Sequence, residues 1–475
     1  MRRIAAVLLS LGLTIAACSS DDGAIRQAEP QASAPTSTGL APTTAAASRP
    51  TTATAVPTTA LPAPTVTTAA GPTASTGANP GPDEDVQERQ VREQAGRVRE
   101  EIEARRDVPL AQLDTEVEGW MDRTGVPGVV LAVTHEGAPP QTFAWGVSDI
   151  AGGTPMTVDH HVRIGSVTKA VTAAVVLQLV SEGTVELDAP VARYLGEDWA
   201  PGYEHAAAVT VRDLLGHTSG FVEYAFDLEF YRLAAPRLDE QISAPEILRF
   251  AADYGPVAQL GTEFHYNTTG YLAAGLLIEA VTGETAAAQL RSRVFEPLGL
   301  SHTYLTPQEF PPEPTANGYV GGAIGYLMAP LLGLTGEHRI THNGATLVDI
   351  GTIPDAFARS AGWTGGGIEA QIGDVALLIR GLFATEVLDE SQVALMTAGH
   401  PDAANGYGLG ISTDTVGGLR VYSHGGGVPG FRTVAAYVPE VDLGIAVTAN
   451  LLGLEDEDDV GALLELLAPI LAAMI

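Results

Sequence analysis

Arg163-Ile164-Gly165-Ser166-Val167-Thr168-Lys169-Ala170-Val171-Thr172-Ala173-Ala174 sets a serine and a lysine three residues apart at the head of an apolar, alanine- and valine-rich run. The run reads as a buried helix, and residues three apart on a helix share a face. Lys169 can therefore reach the Ser166 hydroxyl and take the proton that a hydroxyl must lose to act as a nucleophile at neutral pH. Arginine could not serve, because its guanidinium stays protonated, whereas a buried ammonium can lose a proton. Lys169 is also the only lysine of the chain; every other residue in the Lys+Arg total of 25 is arginine. The competing reading of such a pair is an exposed serine beside a lysine that snorkels to solvent.

Outward from this stretch, 475 residues suffice for one large or two medium domains with a well-buried core. A formal net charge of -32 argues against a nucleic-acid partner, since a phosphate backbone demands a basic face. The one cysteine, Cys18, leaves the fold without an internal disulfide. No metal-ligand spacing occurs, no cofactor is expected, and His217, His265 and His302 read as structural or surface residues.

The first residues read as a targeting segment. Arg2 and Arg3 precede an apolar run, Ile4 to Ile15, too short to span a bilayer. Ile15-Ala16-Ala17-Cys18 resembles the lipobox of bacterial lipoproteins, which implies cleavage before Cys18, lipid attachment to it and a cell-membrane location facing outward; the alternative is an ordinary secretory signal. Residues 19–82, mostly Ala, Thr, Pro and Ser, cannot bury enough surface to fold and read as an extended, disordered tether. Residues 83–109 alternate acids and arginines around a thin apolar stripe, a charged lead-in helix or a short dimerising coiled coil. Nothing in the sequence sets the oligomeric state.

Within residues 110–475 the pattern predicts a helix over Leu110 to Thr124 and a hairpin of Val129 to Thr134 with Thr142 to Val147. It then predicts helices over Lys169 to Ser181, Val211 to Leu215, Ala244 to Asp253, Thr269 to Val281 and Ala286 to Val294. Strands return at Tyr407 to Ser412, Gly418 to Ser423, Thr433 to Val438 and Leu443 to Thr448, and Val460 to Ile475 closes the chain as an apolar helix. This order implies an α/β domain of α+β type: an antiparallel sheet shared by both ends of the domain, flanked by helices and interrupted by a large helical insertion. Ser166 would lie at the start of the insertion's first helix, where free N–H groups favour developing negative charge. Gly321 to Thr335, apolar and containing Pro330, reads as a lid, a flap or core.

Two further stretches complete a constellation: Phe264-His265-Tyr266-Asn267-Thr268-Thr269-Gly270-Tyr271 and Ser423-His424-Gly425-Gly426-Gly427-Val428-Pro429-Gly430-Phe431. With Ser166-Val167-Thr168-Lys169 they resemble the serine β-lactamase-like and penicillin-recognising hydrolases, nearest the class C β-lactamase, DD-carboxypeptidase and esterase branch. The resemblance runs from about Leu110 to Ile475 and includes Leu214-Leu215-Gly216-His217-Thr218-Ser219-Gly220 and Phe295-Glu296-Pro297-Leu298-Gly299-Leu300.

The resemblance implies a β-lactamase/transpeptidase-like fold, with Ser166 as the acylated nucleophile and Lys169 as its base or as the charge that eases deprotonation of Tyr266. Tyr266 would shuttle protons to the leaving group. His424 with Gly425 and Gly426 matches the strand motif that lines the cleft, and the amides of Ser166 and Gly427 would form the oxyanion hole. Two positions depart from the pattern. Thr268 stands where the family's Y-x-N motif has asparagine, and His424 stands where it often has lysine. A hydroxyl cannot replace a two-ended amide, and a largely neutral imidazole is a weaker carboxylate anchor, a charge Arg432 could supply. The expectation is cleavage of an ester or a D-amino-acid peptide of small-molecule or peptidoglycan type. A β-lactamase, or a catalytically weak cell-envelope binding protein of the same fold, are the alternatives.

Overall fold

The computed structural model describes residues 110–464 and 467, apart from 313, 333, 335, 404, 417 and 455–458. The readings placed on residues 1–109, including Cys18, lie outside the described residues, as do 468–475 of the closing helix. Residues 460–464 and 467 of that helix are helical.

Helix α1 (Leu110–Thr124) leads into strands β1 (Gly128–His135), β2 (Gln141–Asp149) and β3 (Thr154–Pro155). The chain returns to the same sheet some 250 residues later as β4 (Ser412–Val416), β5 (Leu419–Val428), β6 (Phe431–Val438) and β7 (Leu443–Ala449). The order is β4-β5-β6-β7-β1-β2-β3, with every neighbour antiparallel. The closure is β1 on β7, in a register that pairs Leu131 with Val447. Both ends of the domain thus share one sheet, as the strand pattern implies.

Alternation of side chains along a strand divides β1 between two cores. Val129, Leu131 and Val133 pack with Leu113, Val117 and Trp120 of α1 and with Val460, Leu463, Leu464 and Leu467 of the closing helix. Val130 and Ala132 face the helical block. With both faces covered, β1, β6 and β7 are mainly apolar, and fully burying each large aliphatic side chain contributes about 2 kcal/mol.

Helix α2 (Thr168–Ser181) is apolar around its whole circumference, so it is buried on all sides through Leu177. Against it pack α3 (Thr269–Thr282) and α5 (Ala356–Gly366), while α4 (Gly322–Leu331) sits beside a small sheet of Leu451–Leu452, Tyr319–Val320, Ala345–Asp349 and Arg339–His342, and α6 (Ile372–Phe383) lies on the large sheet against β1, β6 and β7. A third sheet pairs Val162–Arg163 with Ile368–Ala370, and Ile164 donates to the Ile368 carbonyl at 3.1 Å, which pins the turn before Ser166.

Three local readings need correction. Residues 407–411 are not a strand: Gly406 and Gly410 have φ of 60° and 82°, and only an isolated bridge joins Tyr407 to Ser412, where β4 begins. Alternating glycine mimicked alternating burial there. The helix read over Ala286 to Val294 is α-helical only for Ala286–Leu290 and continues as a π-turn over Arg291–Phe295. Ser166 lies in a 3-10 turn, Gly165–Val167, that leads into α2, rather than in the helix itself.

Candidate active site

Gly165 has φ of 54°, a conformation that a side chain resists, and the turn it makes sets Ser166 against β5. A β-carbon on Gly165 would lie 2.9 Å from the Gly427 nitrogen, and one on Gly426 would lie 1.9 Å from the Ile164 carbonyl and 3.3 Å from the Ser166 nitrogen. Only bare backbone fits on both sides. The amides of Ser166 and Gly427 thereby come to one wall of the cleft.

Lys169, the second residue of α2, is fully buried. Its Nζ lies 3.0 Å from Ser166 Oγ, 3.1 Å from Thr268 Oγ1 and 2.9 Å from the Gly365 carbonyl. That carbonyl is presented by an irregularity in α5. Trp363 adopts φ 29°, ψ -129°, which turns the Thr364 carbonyl onto Thr172 Oγ1 at 2.7 Å and the Gly365 carbonyl onto Lys169. A snorkelling lysine is excluded by this burial.

The loop before α3 supplies Tyr266, whose ring centroid is 4.9 Å from Lys169 Nζ and 4.3 Å from the ring of His217. Asn267 faces away, as its offset in sequence implies. It is fully buried, its Oδ1 accepts from the Gly270 amide at 2.8 Å, and it thereby caps α3. Thr268 takes the place beside Lys169.

His424 on β5 is buried 6.3 Å from the Tyr266 ring. Its Nδ1 lies 2.5 Å from the Gly425 carbonyl, which can only accept, so Nδ1 carries the proton and Nε2 accepts from the Tyr407 hydroxyl at 2.9 Å. Burial, with the Lys169 charge next, pulls its pKa down to about 3, so it carries no charge at neutral pH. His217 is likewise held well below the ordinary histidine range by burial and by Lys169. Its Nδ1 accepts from the Asn267 amide at 3.2 Å, a structural role.

Arg432 stands across from Gly427 on β6, but its Nε lies 3.0 and 2.9 Å from the two Asp459 carboxylate oxygens. Its charge is matched within the protein. Two other residues near the site carry no sequence signature. Tyr407, from within the glycine-rich loop, donates to His424 Nε2 and so satisfies the tautomer that the Gly425 carbonyl sets. Glu223 lies three residues beyond Gly220, the end of the Gly216-His217-Thr218-Ser219-Gly220 stretch, and that nearness is the only signal that could have marked it. Both the Thr268 amide, at 2.6 Å, and the Thr268 hydroxyl, at 2.8 Å, donate to its Oε2.

Ser166 opens onto a cavity of about 600 Å³ with mostly apolar walls, among them Phe226, Phe230, Tyr231 and Phe357. Ile324 of α4 also lines it, so the Gly321 to Thr335 stretch is in part a wall of this cavity. The cavity's cations are each matched: Arg163 and Arg359 pair with Asp355 and Glu369, and Arg432 with Asp459.

A family model described as Beta-lactamase matches residues 113–469. The chain belongs to the β-lactamase family. Its fold is that of the serine β-lactamase-like hydrolases. It is 27% identical over 347 residues to a D-aminopeptidase of Cereibacter sphaeroides, a match covering 72% of this chain and 60% of that protein. It is 36% identical over 184 residues to penicillin-binding protein 4 of Amycolatopsis lactamdurans, covering 39% of this chain and 46% of the other. The chain therefore spans less than two thirds of the length of these curated relatives. Among solved structures, the D-amino acid amidase of Ochrobactrum anthropi SV3 complexed with L-phenylalanine amide superposes with a TM-score of 0.62 at 26% identity, over 76% of this chain and 98% of that one.

Proposed function

We propose that the protein is a serine hydrolase that forms an acyl-enzyme on Ser166 and cleaves an amide or ester bond on the carboxyl side of a bulky apolar group, a D-amino-acid derivative above all. The observation that carries this reading is Lys169 Nζ held 3.0 Å from Ser166 Oγ beside an apolar cavity. In the reaction, Ser166 Oγ attacks the substrate carbonyl and its proton passes to Lys169 Nζ. The amides of Ser166 and Gly427 receive the oxyanion, each such donor lowering the barrier by about 3 kcal/mol. The leaving nitrogen or oxygen takes up a proton by way of Lys169 and Tyr266, and water then attacks the acyl-serine with the same groups acting in reverse.

The matched charges select among the relatives' substrates. A DD-carboxypeptide or a penicillin brings a carboxylate, for which the described cavity offers only arginines already paired, and the nearby His424 is buried and neutral. An amide or ester with an uncharged leaving group needs no such anchor. The names of the D-aminopeptidase and D-amino acid amidase relatives agree with that choice.

The test is intact-mass labelling by a fluorophosphonate, with Ser166→Ala and Lys169→Ala as controls, followed by turnover of D-phenylalanine amide, a D-phenylalanyl ester and an acyl-D-Ala-D-Ala peptide. One adduct at Ser166 with preference for the amide or ester is expected. Faster cleavage of the carboxypeptide would overturn the substrate choice, and no labelling of the folded wild type would leave a binding protein. We further propose that residues 1–18 direct export and that Cys18 bears a lipid anchor; Cys18→Ser would then move the protein out of the membrane fraction.

A further inference from the structure

The oxygen neighbours of Lys169 Nζ include two that can act only as acceptors. The Gly365 carbonyl, at 2.9 Å, has no proton to give. Thr268 Oγ1, at 3.1 Å, has one, but that proton is committed: the hydroxyl lies 2.8 Å from Glu223 Oε2. The Thr268 amide also donates to Oε2, at 2.6 Å, and the Ala225 amide donates to Oε1 at 2.8 Å. Three donors converge on the Glu223 carboxyl group, the pattern of an ionised acceptor.

We propose that Glu223 is a positioning residue that works through Thr268: by holding the Thr268 hydroxyl proton, it obliges Thr268 Oγ1 to accept from Lys169 and leaves the lone pair of the neutral amine aimed at the Ser166 hydroxyl. The inference rests on Ser166 being the nucleophile and Lys169 its base. It accounts for the departure at position 268. A single asparagine could present an acceptor to the lysine by itself, whereas threonine has a rotatable hydroxyl that could equally donate to the amine and compete with Ser166 for its lone pair. The Glu223 carboxylate removes that freedom. Thr268 is nearly buried, and its methyl group packs on Gly365, where a β-carbon would lie 2.5 Å from Thr268 Cγ2. The hydroxyl's other staggered orientations are thus costly.

Charge follows the same line. Burial pushes the Glu223 carboxyl above the usual carboxylate range, opposed by the Lys169 charge and by the hydrogen bonds from Ala225 and Thr268. The other titratable groups facing this pair are Tyr266, Tyr271, His217 and His424 on the lysine side and Tyr224 and Tyr231 on the glutamate side. Removing the carboxylate withdraws the negative charge that favours the protonated amine.

The experiment is the pH dependence of fluorophosphonate labelling at Ser166, followed on the full chain by intact mass, which needs no identified substrate. Glu223→Gln is expected to slow labelling about tenfold or more and to move the half-maximal rate to lower pH; Thr268→Val slows it comparably. The double variant is no slower than Thr268→Val alone, because the glutamate acts only through the hydroxyl. Thr268→Ser, which keeps the hydroxyl, is expected to label within about threefold of wild type. Wild type that labels while Glu223→Gln matches its rate and pH profile, or losses that multiply in the double variant, would overturn the inference and leave the nucleophile standing. Absence of labelling in folded wild type would instead remove the reading on which it rests. Should Glu223→Gln not fold, the contrast between Thr268→Val and Thr268→Ser decides: equal slowing by both overturns the inference.

Discussion

Arg432 and Asp459 form a buried pair at the edge of the cavity, with Nη2 2.7 Å from Oδ2 and each side chain 11% exposed. The arginine that would anchor a substrate carboxylate is thus occupied by the protein. Removing one member of a buried pair strands the other charge, at about 3 to 5 kcal/mol. Asp459→Asn is expected to lower stability by about that amount in urea unfolding while quickening labelling by a penicillin, whose carboxylate would meet an unmatched guanidinium. Unchanged stability and unchanged penicillin labelling would show that the pair does not set the cavity's charge.

Gly426 has no room for a side chain, since its β-carbon would sit 1.9 Å from the Ile164 carbonyl. Gly426→Ala must push β5 away from the Ser166 turn, at a cost of about 1 to 3 kcal/mol for overpacking. Labelling of Ser166 should fall by more than this loss of stability explains, because the Ser166 and Gly427 amides, the proposed oxyanion hole, separate. A variant that is less stable yet labels at the wild-type rate would argue against that wall.

His424 and His217 are both buried in the neutral form with depressed pKa values. The unfolded chain protonates each near pH 6.5, and the folded chain does not. Their contribution to stability is therefore complete above about pH 6.5 and is lost as pH falls, for His424 down to about 3. Each such histidine adds about 1.4 kcal/mol per pH unit to the slope in that window. His424→Gln should flatten the slope between about pH 6 and pH 4.5 by that amount in denaturant titrations, whereas a slope equal to wild type would mean that His424 is protonated in the fold.

Ile324 brings α4 to the cavity that Phe230 also lines, and a larger side chain there takes up room in it. Ile324→Trp should reduce kcat/KM for D-phenylalanine amide about tenfold or more and change that for D-alanine amide little, since a small side chain needs less of the cavity. Equal losses on both substrates would place the acyl group elsewhere.

Residues 129–134 and 142–147 announced their hairpin because β-rich runs flank a turn, and α2 announced its burial because no polar stripe interrupts it. The closeness of Ser166 and Lys169 was legible for a local reason: a spacing of three along one helical run, here a 3-10 turn leading into α2, fixes a distance whatever the rest of the chain does. The 407–411 loop was misread because glycine satisfies an alternation count without forming a ladder. Glu223 was legible only through its nearness to the Gly216–Gly220 stretch, and Asp459 not at all. Each acts through one partner, Thr268 or Arg432, that is 45 or 27 residues away, and no local periodicity encodes such a meeting.

The sequence by itself determined the parts whose geometry is short-range: the Ser166–Lys169 spacing, the glycines that let β5 approach, the displacement of Asn267 from the place beside Lys169, and a sheet shared by both ends of the domain. Only the tertiary structure decided what surrounds them. It matched the cavity's arginines with carboxylates, buried His424 as a neutral tautomer under Tyr407, and set Glu223 behind Thr268. The reason is physical: a hydrogen bond or a charge pair is worth what its burial and its partner's direction make it, and both are fixed only when distant segments pack.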